Sequence, residues 1–340
     1  MQGRHLSAAK ASKLEQRLQA NEHDWEARLL LIGYNYQSRV RPQYYELLAW
    51  LIDNRPTNSV HEWLTPPYRK TKAYVVAKRR WLRQLRLQPQ NTKILTYIAS
   101  YCAICEPRDA IKYLTQALLL EPTSEDLSLR LAQAFRTAAI GGSRYYARKA
   151  VAQLRYTVSL YKKRTDAHSY LKQYFEMLLR EFSDLALENG LPDEATSLGK
   201  LLLKRKEIDS KRLGLRISEN PYIYDRATSL GYSIIGRAAI AKGDIPTAAK
   251  CLQQMCMLPI NSRSDWELAN ELLRKKQKRE VLNYLEQALC HWTEFLSKYD
   301  GTTHPAHGFF LVTKEQAERR VYQLGTWIKQ IKKGRRPQLC

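Results

Sequence analysis

Apolar side chains recur along this chain at steps of three and four, the spacing that lines one face of an α-helix. No long segment alternates in the two-residue rhythm of a strand. A longer period overlies the helical one. With Pro122 closing a helix-turn-helix unit of about 34 residues, the apolar and small positions fall on Ile94, Tyr97, Ile98, Tyr101, Ala110, Leu114 and Ala117. This spacing predicts a first helix from Thr92 to Cys105, a turn at Glu106-Pro107 and a second helix from Arg108 to Leu120. The same template takes Tyr232, Ile235, Gly236, Ala239, Gly243, Ala248, Leu252 and Met255. There Gly243-Asp244 makes the turn, and Pro246 sits in the next helix's first turn, where its missing N–H has no intrahelical partner to lose. The following unit repeats the arrangement in Leu268, Ala269, Leu272, Val281, Leu285 and Ala288, turning at Lys276-Gln277-Lys278.

Looser units begin at Leu127, with Leu131, Ala132 and Phe135, and at Leu179, running to Leu202. The first has a turn widened by Ile140-Gly141-Gly142-Ser143; the second breaks at Gly190 and Pro192 and puts Ala195 in the small position. Register is poor from Tyr145 to Glu188. Ala110, Ala117, Gly236, Ala248, Ala269 and Ala288 are the positions at which helix backbones approach closely, with bulky neighbours filling the space beside them. Hairpins of this kind bury their apolar faces against one another, so several are needed for a continuous core. The expected fold is all-α: a right-handed superhelical solenoid of antiparallel helix-turn-helix repeats, degenerate over 68–300 and clearest at 91–124, 229–261 and 262–295. Pro, Gly and Asn cluster at Asp53 to Pro67, Gln88 to Asn91, Gly141 to Ser143, Ser218 to Pro221, Pro259 to Ser264 and Asp300 to Gly308, which are read as loops.

Three stretches resemble bacterial tetratricopeptide-repeat proteins. Trp25-Glu26-Ala27-Arg28 through Tyr34 and Tyr36, followed by Leu47 to Pro56, is similar to their opening hairpin. The hairpin around Gly236, Gly243-Asp244 and Ala248-Ala249 and the unit from Leu268 to Glu286 resemble their closing repeats. Leu324, Trp327-Ile328 and Ile331, before Gly334 and Pro337, resemble a terminal capping helix. The resemblance implies helical hairpins over 1–67, a loop, capping helix and basic tail over 301–340, and a general interaction role; it transfers no catalytic residue and no partner.

Composition agrees with a folded helical chain: 44% of residues are apolar, and Gly and Pro are sparse at 14 and 13. Six scattered cysteines are too few for a disulfide scaffold in 340 residues. With no apolar leader in the first 20 residues and no run of membrane-spanning length, the reading is a cytoplasmic protein.

Candidate chemistry is thin. Cys102-Ala103-Ile104-Cys105 is a CxxC motif, but it lies within the predicted helix and no second CxxC follows, so core packing is the expected role. His304 and His307, with Cys290-His291, lack the helical spacing of a metal site and are read as solvated. Glu125/Asp126 and Asp193/Glu194 fall where helices begin, which suits the helix dipole, and Glu176/Glu181 is read as an exposed polar face. No nucleotide-binding, dinucleotide-binding or serine-nucleophile motif occurs. The expectation is a non-enzymatic protein without cofactor or metal.

Charge changes the picture. The 56 Lys and Arg outnumber 33 Asp and Glu, giving +23, so the surface should attract polyanions. The excess is segregated: Trp63 to Cys105 holds nine basic residues and no acid, and so does Leu127 to Thr165. Tyr68, Tyr74 and Trp81 interleave the first segment, and Tyr145, Tyr146, Tyr156 and Tyr161 the second. Such segments point to an acidic peptide or protein held in a basic groove. Cations beside rings on which bases stack give RNA or single-stranded nucleic acid as the alternative. Arg79, Arg80, Arg83, Arg86, Arg130, Arg144, Arg148 and Lys149 are the nominated partner-binding residues, expected on the first helices of successive hairpins.

Overall fold

The structure is a computed structural model that describes residues 3, 5–36, 42–63, 71–163, 170–205, 221–256, 266–297 and 313–339. Among these, regular structure is wholly helical: fifteen α-helices and a 3-10 segment at Ser59–Trp63, without a strand. None of the helices is long and apolar enough to cross a membrane. The loops expected at 259–264 and 300–308, with His304 and His307, lie outside the described residues, as do Tyr68 and most of 218–221. The chain divides into two compact units, Met1–Ala138 and Ala139–Cys340.

The first unit contains α1 (Ala8–Ala20), α2 (Trp25–Asn35), α3 (Pro42–Asn54), α4 (Lys72–Leu87), α5 (Thr92–Cys102) and α6 (Pro107–Leu120), and α7 (Glu125–Ala139) closes it. From α1 to α6 each helix packs against the next in sequence. Ser7, Asp24, Thr71 and Asn91 accept backbone N–H groups at the starts of α1, α2, α4 and α5, and Pro107 opens α6. All seven template positions from Ile94 to Ala117 are buried, in one core with Tyr74, Ala77, Trp81, Leu127, Leu131 and Ala134.

The second unit runs through α8 (Arg144–Lys163), α9 (Tyr170–Glu188), α10 (Pro192–Leu203), α11 (Pro221–Ala241), α12 (Ile245–Cys256), α13 (Glu267–Arg274), α14 (Lys278–Ser297) and α15 (Lys314–Lys332). Each helix packs on its successor, and α9 also meets α11, α11 meets α13, and α12 meets α14. Its turns are built alike. At Gly190 (φ 65°), Gly243 (φ 81°) and Lys276 (φ 64°) the backbone goes left-handed just past a helix. The next N–H then bonds back across the last turn: Leu191 to Ala186 O, Asp244 to Ala239 O, and Gln277 to Leu272 O, at 2.8–3.0 Å. These are Schellman closures, which favour glycine because it carries no Cβ; Lys276 holds the same conformation at a cost glycine would avoid. Gly334 closes α15 in the same way, with Arg335 N bonding Gln330 O at 2.9 Å. The chain then returns to α13, where the Asn270 side chain pairs both backbone groups of Leu339 at 2.9 Å. The segment read as a basic tail is thus partly docked. Leu324, Trp327, Ile328 and Ile331 of α15 are buried in the closing core, as a capping helix requires.

Charged residues fasten this unit internally. Arg237 on α11, only 15% exposed, reaches Asp184 on α9 and Glu267 and Glu271 on α13 at 2.6–2.9 Å. Glu176, read as surface from sequence, is instead 16% exposed and held by Arg205 at 2.5 Å and Arg226 at 3.3 Å. Cations supplied 29 and 50 residues downstream remove it from the solvated face.

In the second unit α10 and α11 approach closely at two glycines the repeat template did not single out. A Cβ on Gly231 would stand 2.9 Å from the carbonyl oxygen of Gly199, and one on Gly199 would stand 3.0 Å from that of Gly231. At Gly236 the obstacles are the methyl ends of Leu268, at 2.6 and 2.8 Å, which can swing aside. Backbone cannot move so cheaply. Gly231→Ala should therefore destabilise the second unit by about 2 kcal/mol, more than Gly236→Ala, in denaturant titrations; equal losses would show that the glycine crossing is not the tight point.

Candidate functional site

The nominated cations separate into three environments. On α4, Lys72, Val76, Arg79, Arg83 and Arg86 are all exposed, at steps of three and four that keep them on one stripe, while Tyr74, Ala77, Trp81 and Gln84 line the opposite, buried face. Arg79 and Arg86 have no carboxylate partner among the described residues, and about 10 Å of helix separates them. Arg80 and Arg83 converge on Asp53 at the end of α3, Arg83 Nη2 lying 2.7 Å from Oδ1. They clamp α4 to α3 as well as facing solvent. Arg130 on α7 is turned to its own surroundings, pairing with Asp126 at 2.7 Å and donating to Ser100 Oγ at 3.3 Å.

The second unit gives a cleaner surface. Among the described side chains of α8, Arg144, Tyr145, Arg148, Lys149, Ala152, Arg155, Tyr156 and Ser159 are exposed and follow one side of it for about 22 Å. No acid lies on this helix. Of its cations only Arg148 has a carboxylate partner among the described residues, Glu194 at 3.2 Å across a 61%-exposed guanidinium. Such an exposed pair is weak and can be exchanged for a partner's carboxylate. Arg155 belongs to the stripe although it was not nominated. Its signal was present, since it stands seven residues beyond Arg148 on the same face.

Ring placement discriminates between the two kinds of polyanion. Tyr74 and Trp81 of the first acid-free segment are 1% and 2% exposed, and Tyr161 of the second is 1% exposed, so these rings are core and not stacking platforms. Tyr145 and Tyr156 are 65% and 42% exposed, with the Lys149 ammonium 5.8 Å from the Tyr145 ring. The nominated residues do not fall on first helices as expected: Arg144, Arg148 and Lys149 stand on α8, the second helix of the hairpin that begins at Leu127, Arg79, Arg80, Arg83 and Arg86 stand on α4, ahead of the first clear unit, and Arg130 alone stands on a first helix. First helices such as α5 are apolar on most sides, with eight of their residues buried in that case, which leaves little room for a charged face.

The CxxC motif also differs from its reading. Helix α5 ends at Cys102, so Cys105 lies in the turn beyond it. Cys102 is fully buried, and burial pushes its thiol up to about 11, the wrong direction for a nucleophile. Its sulfur lies with carboxylate oxygens of Glu106 and Asp109 inside a 4.8 Å cluster of metal-ligand type. A cation is already there: Lys78 Nζ stands 2.5 Å from Glu106 and 2.6 Å from Asp109. Burial alone would lower the lysine's pKa, but its hydrogen bonds to Asp109 and Glu106 outweigh that and raise it, so the ammonium persists. Tyr74 adds a 2.7 Å bond to Glu106 and stacks on Tyr101 at 5.0 Å. The cluster ties the α5–α6 turn to α4. It activates no group.

No protein-family model matches the chain, and no curated protein matches it.

Proposed function

We propose that this protein is a non-enzymatic adaptor: a tetratricopeptide-like array of helical hairpins that binds an acidic segment of another protein through the basic face of α8, the exposed stripe of α4 in the first unit being a separate basic surface. The array reading is supported by sequential packing of neighbouring helices, by three hairpin turns with the same Schellman closure, and by the burial of every predicted small position. One observation carries the functional reading. Two acid-free helices carry exposed cations, Arg79, Arg83 and Arg86 on α4 and Arg144, Arg148, Lys149 and Arg155 on α8, while three of their six rings, Tyr74, Trp81 and Tyr161, are buried. Projecting guanidinium and ammonium groups without a ladder of rings suit carboxylates better than bases. A specific observation favours a second reading, single-stranded nucleic acid, at one place: Tyr145 and Tyr156 stand open among the cations of α8.

The two readings separate in a capture experiment from lysate, with and without nuclease. Acidic proteins retained after nuclease treatment and released by moderate salt are the expected result. Loss of all retained material on nuclease treatment would overturn the protein-partner reading and leave the nucleic-acid one.

A further inference from the structure

In the first unit a cleft of about 700 Å³ is walled by His23, Trp50, residues 54–59, Gln88 at the end of α4 and Lys93 at the start of α5. Its size falls within the usual range for small-molecule sites. No acid contributes to the wall; Arg55 and Lys93 supply cations, and Asn54, Thr57, Asn58, Ser59 and Gln88 supply neutral hydrogen-bonding groups. Lys93 belongs to the first turn of α5, whose N-terminal dipole adds to the positive potential.

Behind the wall lies an unusual buried cation. Arg28 is 7% exposed, with its guanidinium carbon 3.9 Å from the centroid of Trp50. It donates to the backbone oxygen of Glu22 at 2.6 Å, but its Nε has no hydrogen-bond partner and no carboxylate pairs with it among the described residues. Burial lowers its pKa, and the charge of Glu22 acts in the opposite direction. Trp50, which it stacks against, is the one large ring lining the cleft, and the exposed His23 stands 5.9 Å from it.

We infer that this cleft binds a nucleotide, its phosphate against Arg55, Lys93 and the neutral donors and its base against Trp50. A flat ring joined to a multiply charged, oxygen-rich group matches a single indole lining the same cleft as two cations and several amides and hydroxyls; a metal cation or a basic ligand meets no carboxylate in that lining. The inference is independent of the acidic-partner proposal, since neither α4's exposed stripe nor α8 forms its wall.

The test is calorimetric titration of the full chain with adenosine monophosphate and uridine monophosphate, and separately with adenosine and inorganic phosphate. At least one nucleotide should bind, and more tightly than either fragment. Lys93→Glu and Arg55→Gln should each weaken it about tenfold without altering the helical spectrum, since a glutamate in the first turn of α5 complements the helix dipole. Absence of nucleotide binding at millimolar concentration, or equal binding by Lys93→Glu, would overturn the inference. Inorganic phosphate or adenosine binding as tightly as the nucleotide would equally overturn the pairing of ring and phosphate.

Discussion

Acidification from pH 6.5 to 4 should cost the first unit about 3 kcal/mol through one residue, His61. Its ring is 7% exposed and packed 4.7 Å from Trp81 and 5.3 Å from Tyr97, with Nε2 3.1 Å from the backbone oxygen of Arg55. Burial pushes its pKa down to about 4 from 6.5, although the hydrogen bonds to Arg55 and Leu51 act in the opposite direction. The neutral imidazole is therefore the folded form, whereas the unfolded chain takes a proton near 6.5. The stability is fully present above that pH. It falls as the pH drops, and the loss levels off near 4, where the folded ring is protonated as well. Denaturant titrations of the parent and His61→Gln at pH 7, 5.5 and 4 check this, because carboxylates titrate alike in both. The parent should lose about 3 kcal/mol more than the variant across the window; parallel losses would show that His61 is accessible to protons when folded. His61 also pins the 3-10 segment that follows the cleft's 54–59 wall, so the same acidification should loosen that wall.

The helical hairpins were legible because apolar periodicity, small residues and turn residues agree at each site. Around Gly243 the pattern, the left-handed glycine and the buried Ala248 and Leu252 all specify one turn. Lys276 shows the limit of that agreement: its turn was readable from the helices on either side, although lysine itself does not predict a positive φ. The Gly199–Gly231 crossing was not legible, since a glycine within a helical run signals only tolerance until its neighbour across the interface is known. Helix ends moved for local reasons, α5 stopping at Cys102 where Glu106 and Pro107 start the next cap.

The candidate site was legible as charge and illegible as pairing. Acid-free segments identified α4 and α8, but Asp53 lies 27 and 30 residues before the arginines it binds, and Glu194 lies 46 residues after Arg148. Periodicity does not reveal contacts at such separations. The cleft by Trp50 draws on three separate stretches, so no local pattern marks it.

Charge reversal on α8 has the largest expected effect on function. Arg144, Lys149 and Arg155 share its exposed face and have no carboxylate partner among the described residues, whereas reversing Arg148 would set two acids against each other at Glu194. Arg144→Glu, Lys149→Glu and Arg155→Glu together replace three attractive charges by three repulsive ones while leaving the buried face of Ala147, Ala150, Val151, Leu154 and Val158 intact. The decisive measurement is fluorescence anisotropy of a labelled glutamate-rich peptide titrated with parent and triple variant, beside a labelled oligouridylate as the competing polyanion. Salt-sensitive peptide binding by the parent, a loss of about a hundredfold in the variant, and unchanged helix content and melting temperature are expected. Equal peptide affinity for parent and variant, or binding of the oligouridylate alone, would contradict the acidic-partner proposal.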